Sequence, residues 1–169
     1  MPVSTAANSG TFKVTTPSDR EIVITRLFDA PRDLVFDAMT KPEHIRRWWG
    51  VIGEGYDVPV CDVDLRPGGG WKFVSVFPKG ECTFYGTYKE IDRPDRLVFT
   101  EIYAPAPDSP SLVTMTFAEE HGKTRLTVVA EYPSKDVRDF VLGTGMERGA
   151  AISYDRLEEV AAELARNRG

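Results

Sequence analysis

A carboxylate on a strand is the first place where this chain could do chemistry. Glu101 closes the run Leu97-Val-Phe-Thr-Glu101, and strand alternation puts it on one face with Leu97 and Phe99. If that face is the core face, burial raises its pKa and equips it as a general acid or base. Otherwise it is a strand-end Glu paired with a basic neighbour. Tyr88 is the accompanying acid/base group that the pattern offers. The 2 histidines add nothing: His44 opens a predicted helix, His121 sits in a polar turn, and both are expected to be exposed. Two distant histidines make no metal cluster. The 2 cysteines, Cys61 and Cys82, fall on separate predicted strands, without CxxC spacing or a neighbouring His. Neither a redox motif nor an activated thiol is expected. No GxSxG, P-loop or GxGxxG run occurs, and Gly68-Gly69-Gly70 lacks the Lys-Ser/Thr needed to cradle phosphate. The expectation is therefore no cofactor, no metal, and Glu101 as the single candidate catalytic residue. Asp64 and Arg66, flanking the glycines, are expected to fix that turn by pairing.

The elements around Glu101 read mainly as strands. From Tyr56 the apolar period is two, giving predicted strands Tyr56–Leu65, Trp71–Phe77, Cys82–Ile91, Leu97–Tyr103, Ser111–Glu119 and Thr124–Tyr132. Turn residues bound each one, and short connections imply antiparallel neighbours. A further strand, ahead of these in the chain, spans Arg20–Phe28. Pro31 then starts a short helix to about Met39, and Thr40 with Glu43 reads as a capping box for a second helix carrying Ile45, Trp48 and Trp49, ended by Gly50. Ser134 caps a final helical stretch running to about Leu164, which Gly143, Gly145 and Gly149 should weaken or kink. The fold class implied is α+β: a curved antiparallel sheet of about seven strands wrapped around a long C-terminal helix, with two short helices between strands one and two. Residues 1–19, rich in Ser, Thr, Ala, Gly and Pro, read as a flexible tail, and residues 20–169 as a single domain.

Composition narrows the partners. The 169 residues carry a net charge of -5, which argues against nucleic acid and anionic membranes as partners. The first ten residues lack the basic and apolar regions of a signal peptide, and no apolar run reaches membrane-spanning length. A cytoplasmic protein with reduced thiols is the resulting expectation.

Size mismatch points to a hollow. Strand aromatics oppose Gly149, Ala150 and Ser153 on the final helix. An unfilled void of about 300 Å³ would cost up to about 7 kcal/mol, against a typical total stability of about 5–15 kcal/mol. Either Tyr154 and the aromatics fill the space, or water and a ligand do. Of Trp48 and Trp49, one is expected to be buried and one at the rim. The Pro-rich loop Ala104–Pro110 either borders a mouth or is a stiff connector.

Several stretches together resemble a known family: Phe28-Asp-Ala-Pro31, Pro42-Glu-His-Ile-Arg-Arg-Trp-Trp-Gly50, Asp64-Leu-Arg-Pro-Gly-Gly69, Gly86 to Thr100, and Gly145-Met-Glu-Arg-Gly149 with Asp155-Arg-Leu157. They are similar to the START/Bet v 1-type (SRPBCC) helix-grip superfamily, and within it to the branch named after the activator of Hsp90 ATPase (AHSA1-like). The resemblance covers about residues 20 to 165. It implies a cavity between sheet and final helix, in a superfamily whose members bind hydrophobic molecules and sometimes act as cyclases. The branch usually carries a bulky aromatic just after the Gly145–Gly149 motif, where this chain has Ala150; Tyr154 follows one turn later, where an aliphatic residue is common.

The leading expectation is binding of a small hydrophobic or aromatic ligand. The expected lining is Trp48, Trp71, Phe84, Tyr88, Phe99, Glu101, Met115, Met146, Ala150 and Tyr154. The alternatives are a chaperone-associated interaction protein and a cyclase- or hydrolase-like enzyme using the same cavity. A homodimer is compatible with the open edges of such a sheet.

Overall fold

The computed structural model describes residues 9–51 and 53–168. Among them β1 (Lys13–Thr15) and β2 (Glu21–Phe28) precede two helices, α1 (Arg32–Thr40) and α2 (Pro42–Ile45). Six strands come next: β3 (Asp57–Val63), β4 (Gly70–Phe77), β5 (Gly80–Asp92), β6 (Arg96–Tyr103), β7 (Ser111–Glu120) and β8 (Lys123–Glu131). Two helices, α3 (Lys135–Gly143) and α4 (Met146–Arg168), complete the chain. The described strands form one sheet in the order β1-β2-β8-β7-β6-β5-β4-β3, every neighbouring pair antiparallel. Strands β3 to β8 are successive hairpins, and β2 closes against β8.

Strand alternation decides which residues meet the helices. In β2, Ile22, Ile24, Arg26 and Phe28 are buried, while the residues between them keep partial exposure. Register carries that face across the sheet: Ile22 meets Ala130, Ala130 meets Val113, Val113 meets Phe99, and Phe99 meets Tyr88. The next row runs through Ile24, Val128, Met115 and Leu97. The inner face predicted from parity is the one observed. Onto it α4 turns Ser153, Tyr154, Leu157, Val160 and Ala161. Phe36 of α1 packs edge-on against Phe117 at 5.3 Å. Ion pairs tie the periphery: Arg32 to Asp95, Arg93 to Asp37, and Arg47 to Glu163 of α4.

Arg26 is the exception in the core. Its side chain is fully buried and pairs with Asp155 at 3.0 Å and Glu158 at 3.3 Å. Glu158 also accepts a hydrogen bond from the Asp29 N–H at 3.0 Å. A buried cation is tolerated when it is paired, and here the pairing bolts α4 to β2. Thr124 donates its hydroxyl to the Ala30 carbonyl at 2.7 Å, fixing the entry to α1.

Three local expectations are corrected. Lys13–Thr15, within the stretch read as a tail, pairs with β2 as an eighth strand; residues 1–8 of that stretch lie outside the described residues. Thr40 is no N-cap, because α1 runs through it and its hydroxyl bonds back to the Phe36 carbonyl at 2.8 Å. The extended Lys41 caps instead, with no side-chain bond, and α2 stops at Ile45, so the tryptophan pair lies in the turn beyond it. The final helical stretch is not one kinked helix: Ser134 caps α3 by accepting from the Val137 N–H at 3.2 Å, but Gly145, at φ +82°, breaks the chain before α4.

Candidate functional site

Glu101 pairs across the sheet with Ser111, and one step past the Leu112–Glu131 pair the register sets Ser111 beside Tyr132. On its other side stands Gly86, itself paired with Trp71. Here the β5–β6 ladder is opened between the Tyr85–Ile102 and Tyr88–Phe99 pairs. Side chains take over its hydrogen bonds: the Trp71 indole N–H donates to the Thr100 carbonyl at 3.1 Å, and the Thr87 N–H donates to the Thr100 hydroxyl at 3.0 Å. A Cβ on Gly86 would stand 1.8 Å from that carbonyl and 2.8 Å from the indole nitrogen. Only glycine fits, and no side chain rises between Trp71 and Glu101.

Burial alone raises the Glu101 carboxyl to about 7. Cys82 of β5, Tyr132 after β8 and Tyr154 of α4 all feel its charge; each is pushed up, first by burial and then by Glu101. Alternation with the buried Leu97 and Phe99 places Glu101 on the helix-facing side. Among the described residues no hydrogen bond or ion pair reaches its carboxylate. Although deeply surrounded by protein, Glu101 keeps part of its surface accessible.

Aromatic rings wall this region. Trp49 stacks edge-on with Phe73 at 5.2 Å and Phe84 at 5.8 Å. Trp71 meets Phe73 at 4.8 Å and Phe99 at 5.6 Å, and Tyr88 meets Phe99 at 6.2 Å. A second group gathers on Tyr154: Phe28 at 6.0 Å, Phe12 at 6.1 Å and Trp48 at 6.2 Å. Met146 and Ala150 precede Tyr154 at four-residue steps, so all three share one stripe of α4. Cys61 and Cys82 are poor nucleophiles here, since burial pushes the Cys61 thiol up to about 11 and the Cys82 thiol upward too.

Likeness to known proteins bears on this geometry. Residues 29–162 match the model of the family described as activator of Hsp90 ATPase homolog 1-like protein. The chain belongs to this family. A protein of Rhodobacter sphaeroides is similar in structure, with TM-score 0.81 and 23% identity, covering 90% of this chain and 99% of that one. A protein of Mycobacterium smegmatis has TM-score 0.76 and 26% identity, covering 88% and 96%. The AHSA1-like protein from Aeromonas hydrophila has TM-score 0.66 and 22% identity, covering 84% and 94%. At such identities the likeness shows the fold. No curated protein matches the chain. Among the described residues no helix is long and apolar enough to cross a membrane.

Within this family fold the predicted lining residues divide into two sets. Trp71, Tyr88 and Phe99 are buried in the aromatic wall, and Phe84, Glu101, Met115, Met146 and Ala150 keep partial access. Trp48 is buried beside Tyr154 and donates its indole N–H to the Ala38 carbonyl at 2.8 Å, which makes it a wedge between α1 and α4. Trp49 is the half-buried member of the pair, and it joins the wall. The sequence put one of Trp48 and Trp49 at the rim but named Trp48 among the lining, and it left out Tyr132 and Cys82, which lie near Glu101. Strand parity held the signal for Tyr132, which continues the inner series Leu126, Val128, Ala130. A depression of about 480 Å³ open to solvent is lined by Asp62, Lys72, Thr83, Tyr85 and Ala104 together with Gly70, Trp71 and Gly86; Glu101 is not part of it. Asp64 and Arg66 pair at 2.9 Å, as the turn requires.

Proposed function

We propose that this chain binds a small apolar or aromatic molecule between the inner face of the sheet and α4. The supporting observation is the Glu101 environment: a deep carboxylate with accessible surface, no protein partner among the described residues, and a wall of buried and half-buried aromatic and Met side chains. Sites for small molecules have this make-up, an apolar lining with few polar anchors. Trp71, Phe84, Phe99 and Met115 supply the sheet wall, with Trp49 against it from the turn after α2, and Met146, Ala150 and Tyr154 the helix wall. Binding would be shape-selective burial, oriented by Glu101.

The test uses naphthalenemethanol as a neutral probe. Wild-type protein takes it up, with quenching of tryptophan emission, whereas Ala150→Trp loses uptake and keeps its circular dichroism. Unchanged affinity in that variant would sink the reading. The family match favours a second reading, association with a chaperone of the Hsp90 type; its test is ATPase turnover of Hsp90 with added protein, and an unaltered rate ends it.

A further inference from the structure

Polar groups from β5, β7, α4 and the residue after β8 lie near Glu101. They are the Cys82 thiol from β5, the Ser111 hydroxyl from β7, the Tyr132 phenol after β8 and the Tyr154 phenol from α4. The Ser111 hydroxyl is already committed to the Glu101 main-chain carbonyl at 3.3 Å. Behind Tyr154 stands Arg26, but its charge is directed at Asp155 and Glu158. The described groups near the Glu101 carboxylate are thus neutral thiol and phenols, and among the described residues no cation pairs with it.

Building on the ligand-binding reading, and resting on it, we propose that the preferred ligand is an aromatic or apolar amine, whose protonated nitrogen supplies the counter-charge that the fold withholds from Glu101. An ionised carboxylate accepts hydrogen bonds and donates none, so it selects a donor. A cation also regains the Coulomb energy that desolvation makes large in such a site. A ligand carboxylate meets the opposite fate, because two acids sharing a dry site cannot both ionise. The hollow therefore discriminates by charge against acids of the fatty-acid type, while the aromatic wall accepts the ring system, and the cation gains further from adjacent ring faces. An alkylammonium stays charged well above neutrality, so the pH dependence of amine binding is set by Glu101: affinity rises as the carboxyl ionises, and binding releases a proton below that point.

Three probes of one shape decide this by calorimetry on the intact chain: naphthalenemethylamine, naphthalenemethanol and naphthalenecarboxylate. The expected order in the wild type at about pH 8 is amine over alcohol by about tenfold or more, the range of a charge-assisted hydrogen bond, with carboxylate weakest. Amine affinity should climb between about pH 6 and pH 8, and the alcohol should show no such rise. Glu101→Gln, shown to be folded by its circular dichroism, should abolish the advantage of the amine over the alcohol, and an advantage that persists in this variant would overturn the assignment to Glu101. Equal affinity for all three probes would overturn the charge selectivity and leave the ligand reading standing. Failure of all three to bind would overturn both.

Discussion

Glu101 costs the fold stability in the ionised state that an amine would use. Its carboxyl is raised by burial from the ordinary 4.5 to about 7. Below pH 4.5 it is protonated in folded and unfolded chains alike, and no penalty arises. Between the two values the unfolded chain ionises first, so stability falls as pH rises, and above pH 7 the whole penalty is present. At about 1.4 kcal/mol per tenfold in proton affinity, it amounts to roughly 3 kcal/mol. Urea melts of wild type and Glu101→Gln should therefore diverge in favour of the variant by roughly that amount between pH 4 and pH 8. A gap independent of pH would mean that water solvates Glu101. Parity along Leu97, Phe99 and Glu101 made this residue legible from the sequence. Its isolation was not legible, since that depends on which groups other strands and α4 bring round it.

Among the elements, the contact between β2 and α4 is where one substitution should do most damage. Arg26→Ala leaves Glu158 and Asp155 without their buried partner, a loss of about 3–5 kcal/mol, readable as a lower urea midpoint with an unchanged slope. A loss below about 1 kcal/mol would show that water replaces the guanidinium. Arg26 was not singled out in the sequence: it falls in step with Ile22 and Ile24, but a charge on that face is an acceptable reading only once its partners three residues apart on a helix are known. Other elements were legible for local reasons. Ser134 caps a helix because nothing else claims its hydroxyl, whereas the Thr40 hydroxyl was taken by the helix before it. The three-residue β1 has no period of its own to read; β2 supplies its pairing edge. The break at Gly145 is a left-handed backbone turn, and glycine in a sequence permits that conformation without announcing it.

At the scale of the molecule, short hairpins and inward alternation make one sheet, and a terminal helix covers it. That much is set by the pattern of turns and apolar periods, and the family match agrees with it. Whether the interior is solid or hollow depends on how large and small side chains face each other across layers, which no single segment encodes. In the proposed ligand site, Ala150 is the small residue that leaves room opposite the aromatic wall. Native mass spectrometry of gently purified protein tests the hollow most directly. Wild-type protein should carry a discrete added mass that is absent from Ala150→Trp. A clean apo mass for the wild type, at a sensitivity that retains nanomolar complexes, would contradict it and make the interior a filled core.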